Sequence, residues 1–163
     1  MELLSRDSLR IVHVDDDHDF VELNERSLKC AGFKKPVVRC ADGYKAINYF
    51  LAIEPENAPH VVLVDLHMPR MSGLGVLHWL RTNYTEREIA VFLVTSSMDP
   101  SITCRRAADG GVEYVPKGGI LDYLLQKLDD LIASKNEEAS KKAGNGTTVS
   151  NFSTRSEHEG EHA

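Results

Sequence analysis

Cysteine is scarce in this chain: only Cys30, Cys40 and Cys104 occur among 163 residues. The count is odd, and no CxxC pair or metal-like spacing appears. A disulfide framework and a cysteine-built metal site are therefore excluded, and reduced thiols packed as small hydrophobes are expected. Long apolar runs are missing too, none approaching the roughly 20 residues of a membrane-spanning helix. The opening stretch Met1–Arg10, with Glu2, Arg6, Asp7 and Arg10, lacks the apolar centre of a signal peptide. A cytoplasmic location is the expectation. Basic charge is also in deficit, 19 Lys and Arg against 25 Asp and Glu, for a formal net charge of -6. Without a Lys/Arg-rich face or stripe, direct binding to nucleic acid is not expected.

What the chain does contain is a repeated pattern. Four short, Val-rich runs each end in a polar residue: Ile11–Val14 before Asp15-Asp16-Asp17, Val61–Val64 before Asp65, Val91–Val94 before Thr95, and Val112–Val115 before Pro116-Lys117. Runs of this length and composition read as buried strands of a parallel sheet. A further strand is expected over Val37–Ala41. Helical segments alternate with the strands: Asp19–Ala31 stopping at Gly32, one opened by Asp42-Gly43 and ending before Pro55, and one capped by Ser72. A weaker helix over Pro100–Ala108 and a strong one over Ile120–Ala133 follow. Five strands and five helices in alternation predict an α/β fold with a doubly wound parallel sheet.

In such a sheet the ligand site lies outside the carboxyl ends of the strands, where Asp15, Asp16, Asp65, Thr95 and Lys117 would gather. Three converging carboxylates repel one another, and a divalent cation relieves the repulsion. Donors that are all oxygen favour Mg²⁺. The Thr95 hydroxyl and Lys117 ammonium add what the oxygens of a phosphoryl group require.

The motifs are Val14-Asp15-Asp16-Asp17, Val64-Asp65-Leu66-His67-Met68-Pro69-Arg70-Met71-Ser72-Gly73, Leu93-Val94-Thr95-Ser96-Ser97 and Tyr114-Val115-Pro116-Lys117. Together they resemble the receiver domain of two-component response regulators, over about residues 8 to 133. The resemblance implies a five-stranded sheet of order 2-1-3-4-5 in a flavodoxin-like fold. It further implies that Asp65 is the phosphoacceptor, that Asp16 is the main Mg²⁺ ligand with Asp15 as helper, and that the His67 backbone carbonyl is a further ligand. Thr95 would be the hydroxyl that moves to the phosphoryl group, Tyr114 the aromatic switch, and Lys117 the cation that pairs with Asp65 and then with phosphate. The family usually follows its lysine with proline. Here Gly118-Gly119 follow Lys117 and Pro116 precedes it, so altered phosphorylation kinetics are expected.

Plainer readings stand beside these. His67 is equally a solvated loop residue, His13 reads as a core histidine with one satisfied hydrogen bond, and Asp17 as a helix cap. Trp79 reads as packing, and Tyr114 as either switch or edge-strand filler. Residues 134–163 are polar and are expected to form a disordered tail after a receiver domain at 8–133. The acidic, His-bearing end Glu157–His162 reads as part of that tail rather than as a metal site.

The implied function is that of a stand-alone response regulator. It would accept phosphate from a sensor histidine kinase or a histidine phosphotransfer protein, and either bind an unknown protein target or pass the phosphate on. It would catalyse only its own phosphorylation and dephosphorylation. A homodimer through the fourth helix, fifth strand and fifth helix is a further expectation. Two alternatives remain open: an aspartyl-nucleophile phosphatase of the haloacid dehalogenase type, with Asp15 as nucleophile and Asp17 as general acid, and a pseudo-receiver scaffold that is not phosphorylated.

Overall fold

A computed structural model of the chain describes residues 2–85, 88–96, 112–118 and 120–144. The strands are β1 (Ile11–Val14), β2 (Val38–Cys40), β3 (Val61–Asp65), β4 (Ala90–Thr95) and β5 (Glu113–Pro116). The helices are α1 (His18–Cys30), α2 (Gly43–Ala52), α3 (Gly73–Asn83) and α4 (Ile120–Gly144), with one 3₁₀ turn at Pro55–Asn57. All strand pairs are parallel, in the order β2-β1-β3-β4-β5. The fold is thus the doubly wound sheet expected, with four helices among the described residues. The helix predicted over 100–108 lies outside them, and α4 corresponds to the fifth helix of the sequence pattern.

Alternation along the strands sends side chains to two separate cores. Val12, Val14, Val62, Val64 and Leu93 pack with Phe50 of α2 and with Val76, Leu77 and Leu80 of α3. Ile11, Leu63, Phe92, Val94 and Val115 pack on the other face with Leu28 of α1 and with Leu124 and Leu128 of α4. Strands buried on both faces carry almost unbroken apolar sequence, which is why they are legible as short Val-rich runs. Trp79 packs beside Phe50, with ring centroids 6.1 Å apart.

Helix ends follow local chemistry. Asp17 caps α1 by accepting from the Phe20 amide at 3.0 Å, Asp42 caps α2 through Lys45, and Ser72 caps α3 through Gly75. After α1 the chain turns at Gly32, whose φ is +96°. The amides of Gly32 and Phe33 return to the carbonyls of Lys29 and Leu28, at 3.1 Å each.

One expectation is corrected. The last helix does not stop near Ala133 but continues to Gly144, so residues 134–144 are ordered rather than tail. The cause is a contact distant in sequence. The Asn136 side chain accepts from the Leu4 amide at 2.8 Å and donates to the Leu4 carbonyl at 2.9 Å. About two turns earlier, Asp129 receives the Arg6 guanidinium at 2.8 Å, and Arg6 also donates to the Ala31 carbonyl. The N-terminal segment is thereby strapped across α1 and α4, and it holds the polar helix extension in place. Residues 145–163 lie outside the described set.

Candidate acidic site at the carboxyl edge of the sheet

Strand register places the functional side chains along one edge. Val14 pairs with Val64 and Cys40, Asp65 with Val94, and Thr95 with Pro116. Beyond these pairs the chain stays tied across the sheet: Asp15 N–H donates to Cys40 O at 3.0 Å, Leu66 N–H to Val94 O at 2.8 Å, and Lys117 N–H to Thr95 O at 2.8 Å. Asp15, Asp65, Thr95 and Lys117 therefore emerge at neighbouring positions from β1, β3, β4 and β5.

Oxygens of Asp15, Asp16 and Asp65 all lie within 4.8 Å of one another. Asp15 and Asp65 are buried and Asp16 is exposed, so the cluster opens to solvent on the Asp16 side. The Lys117 ammonium stands 3.0 Å from Asp15 Oδ2 and 3.4 Å from Asp65 Oδ2. It also lies 4.7 Å from the centre of the Phe20 ring, a cation–π contact.

Burial, followed by the charge of Asp15, pushes the Asp65 carboxyl up to about 6, against the pull of the His67 amide and of Lys117. For Lys117, burial disfavours the ammonium, but hydrogen bonding and charge from Asp15, with Asp65 behind it, outweigh burial and hold its pKa above the ordinary lysine value. One lysine thus compensates only part of three carboxylates. An all-oxygen cluster with residual negative charge and one open side fits a hard divalent cation such as Mg²⁺.

The His67 amide donates to Asp65 Oδ1 at 3.2 Å, and the Asp17 amide to Asp15 Oδ1 at 2.8 Å. These bonds fix each carboxylate in orientation and leave its second oxygen directed to the shared space. Thr95 is fully buried at the end of β4. Tyr114 is 4% exposed and packs into the core on the α2 and α3 face, so its ring is turned inward.

His13 is buried as expected, but neither ring nitrogen has a hydrogen-bond partner among the described residues. Its Nε2 stands 3.8 Å from Asp15 Oδ2 and its ring meets Phe20 edge-on. Burial, followed by Lys117 and Arg39, pushes His13 down to about 4, so the ring is neutral. Phe20 falls in the helix expected over Asp19–Ala31, with no sequence signal tying it to Lys117. Its place under Lys117 depends on how α1 leaves the acidic motif, which no single spacing encodes. Lys117 reaches the cluster although glycine replaces the usual proline after it, and no cis peptide occurs among the described residues.

Fold and site together define a doubly wound α/β domain with an acidic, lysine-bearing cluster at its carboxyl edge. The sequence profile of the response regulator receiver domain matches residues 11–129, and the chain belongs to that family. It is similar to the transcriptional regulatory protein PrrA of Mycobacterium tuberculosis, with 29% identity over 132 residues, covering 81% of this chain and 53% of PrrA. The response regulator MprA of Mycobacterium bovis is 30% identical over 135 residues, covering 82% of this chain and 55% of MprA. The chain thus spans about half the length of these curated relatives. Among solved structures, the chemotaxis protein CheY4 of Vibrio cholerae superimposes with a TM-score of 0.63 at 22% identity, over 76% of this chain and 98% of that one. Among the described residues, no helix is long and apolar enough to cross a membrane.

Proposed function

We propose that this chain is a response regulator receiver domain of the cytoplasm that accepts a phosphoryl group on Asp65 in a Mg²⁺-dependent reaction. The donor is the phosphohistidine of a sensor histidine kinase or of a phosphotransfer protein. The observation that carries this reading is the position of Lys117 against both Asp15 and Asp65, with Asp16 completing the oxygen cluster.

In the reaction an Asp65 oxygen forms a bond to phosphorus as the phosphorus–nitrogen bond of the donor breaks, and the imidazole leaves as the neutral base after gaining a proton. Lys117 then exchanges its ion pair with Asp65 for one with the phosphoryl oxygens, and Thr95 supplies a hydroxyl to a third side. Asp15, Asp16, Asp65 and the His67 carbonyl would hold Mg²⁺, which shields the carboxylates and the incoming phosphate from each other. The new contacts bias the surface around Thr95 and Tyr114, whose altered state binds a protein target or releases phosphate to the next carrier. A second copy of the chain, bound across the face of β5 and the last helix, is a further candidate partner. The activity is confined to the chain's own phosphorylation and dephosphorylation.

The phosphatase alternative asks Asp17 to act as a general acid, whereas its Oδ1 here accepts from the Phe20 amide. Titration with beryllofluoride and Mg²⁺ tests the proposal. Amide shifts at Thr95 and Tyr114 that vanish in Asp65→Asn support it, and a silent spectrum favours the scaffold alternative.

A further inference from the structure

We infer that Arg70 and Asp42 form a clip that sets the position of the 66–72 loop and so tunes the affinity of the acidic cluster for a divalent cation. The inference rests on the phosphoryl-accepting role of Asp65 and concerns two residues that do not touch the cluster. The loop leaves Asp65 and carries His67, whose amide holds Asp65 Oδ1. Its base is closed tightly. Gly73 N–H donates to Leu66 O at 3.0 Å, and a Cβ on Gly73 would lie 2.4 Å from the Asp65 carbonyl oxygen.

The tip of the loop is held from outside. Arg70 has φ +68°, the only positive value at a non-glycine position among the described residues, and a left-handed arginine carries a backbone cost. In that conformation its Nη2 donates to Asp42 Oδ2 at 3.0 Å. Asp42 is itself fixed, because it is buried and its other oxygen accepts from the Lys45 amide at 2.9 Å to cap α2. Beside it, a Cβ on Gly43 would lie 2.8 Å from Met71 Sδ. Loop tip and helix start therefore meet through both a polar and an apolar contact.

The topology gives this contact its consequence. Asp42 follows β2, and the Cys40 carbonyl at the end of β2 receives the Asp15 amide at 3.0 Å. One side of the clip is thus tied to Asp15 and the other to Asp65. The Arg70–Asp42 bond closes an external bridge between the two buried carboxylates, whose spacing decides how well one cation satisfies both. The Arg70 side chain is 67% exposed, so the pair adds little to global stability, and positioning is the role left for a strained residue.

The experiment compares the full chain with Arg70→Ala, Arg70→Lys, Asp42→Asn and the Arg70→Ala/Asp42→Asn pair; asparagine preserves the α2 cap. Mg²⁺ is titrated against amide shifts, and hydrogen exchange of residues 66–72 is followed without metal. The expected result is a two- to fivefold weaker Mg²⁺ affinity in Arg70→Ala and in Asp42→Asn, with faster exchange in the loop. The double variant should be no weaker than either single one, and Arg70→Lys should retain most of the affinity. Unchanged affinity in Arg70→Ala, while Asp16→Asn abolishes binding, overturns the clip alone. Absence of any Mg²⁺ response in the unaltered chain overturns the phosphoryl-accepting reading and the clip with it.

Discussion

Asp65 is held in tension, since burial and Asp15 push its carboxyl up to about 6 while the His67 amide and Lys117 favour its charge. At neutral pH the carboxylate is ionised, and the fold bears the cost of that charge. Asp65→Asn removes the charge without stranding Lys117, which keeps Asp15 at 3.0 Å. We expect it to raise the stability of the metal-free protein at pH 7 by about 1 to 2 kcal/mol, scaled from 1.36 kcal/mol per pKa unit, as measured by urea unfolding. Two histidines, His13 buried and His60 half-buried, give the opposite pH dependence. His13 and His60 are each pushed down from 6.5 to about 4, chiefly by burial. Between those values the unfolded chain takes up protons that the folded chain refuses, so stability falls as pH drops. Asp65 acts in reverse between about 6 and 3.8, because there the folded chain protonates first. Two imidazoles outweigh one carboxyl, and the melting temperature of the metal-free protein should fall from pH 6.5 to 4.5, more steeply in Asp65→Asn. A melting temperature that rises on acidification would contradict these assignments.

Two junctions between elements carry specific costs. At the start of α3, a Cβ on Gly73 would meet Asp65 O at 2.4 Å and Leu66 Cα at 2.9 Å, both backbone atoms that cannot rotate aside. Gly73→Ala should destabilise by about 1 to 3 kcal/mol, as overpacking does, and should shift the Asp65 and His67 amides in the same spectrum. The strap on α4 gives the second case. Asn136→Ala removes both hydrogen bonds to Leu4, with an expected loss of about 1 to 2 kcal/mol and rapid hydrogen exchange at Leu4. Unaltered Leu4 protection would show that the strap does not depend on Asn136.

Strand ends and helix caps were legible because their signals are local: Asp17, Asp42 and Ser72 each bond an amide three residues on. The strap and the clip were not. Asn136 and Leu4 are 132 positions apart, and Arg70 and Asp42 are 28 apart, so neither pairing leaves a periodic mark. Residues 134–144 read from composition as polar tail, and composition could not reveal that the N-terminal segment supplies polar partners there. His13 shows the same limit within the site. Its burial follows from an apolar strand, whereas its lack of a hydrogen-bond partner among the described residues and its edge-on contact with Phe20 depend on tertiary packing.

At the scale of the whole molecule, β1, β3, β4 and β5 bring an acidic cluster and one lysine to a single edge, and two cores hold that edge rigid. In the proposed function one carboxylate of the three, Asp65, carries the chemistry. Incubating the full chain with acetyl phosphate and Mg²⁺ and measuring intact mass tests this most directly. The expected result is addition of one phosphoryl group, lost when Mg²⁺ is chelated and absent in Asp65→Asn. Labelling that persists in Asp65→Asn but disappears in Asp15→Asn would contradict it.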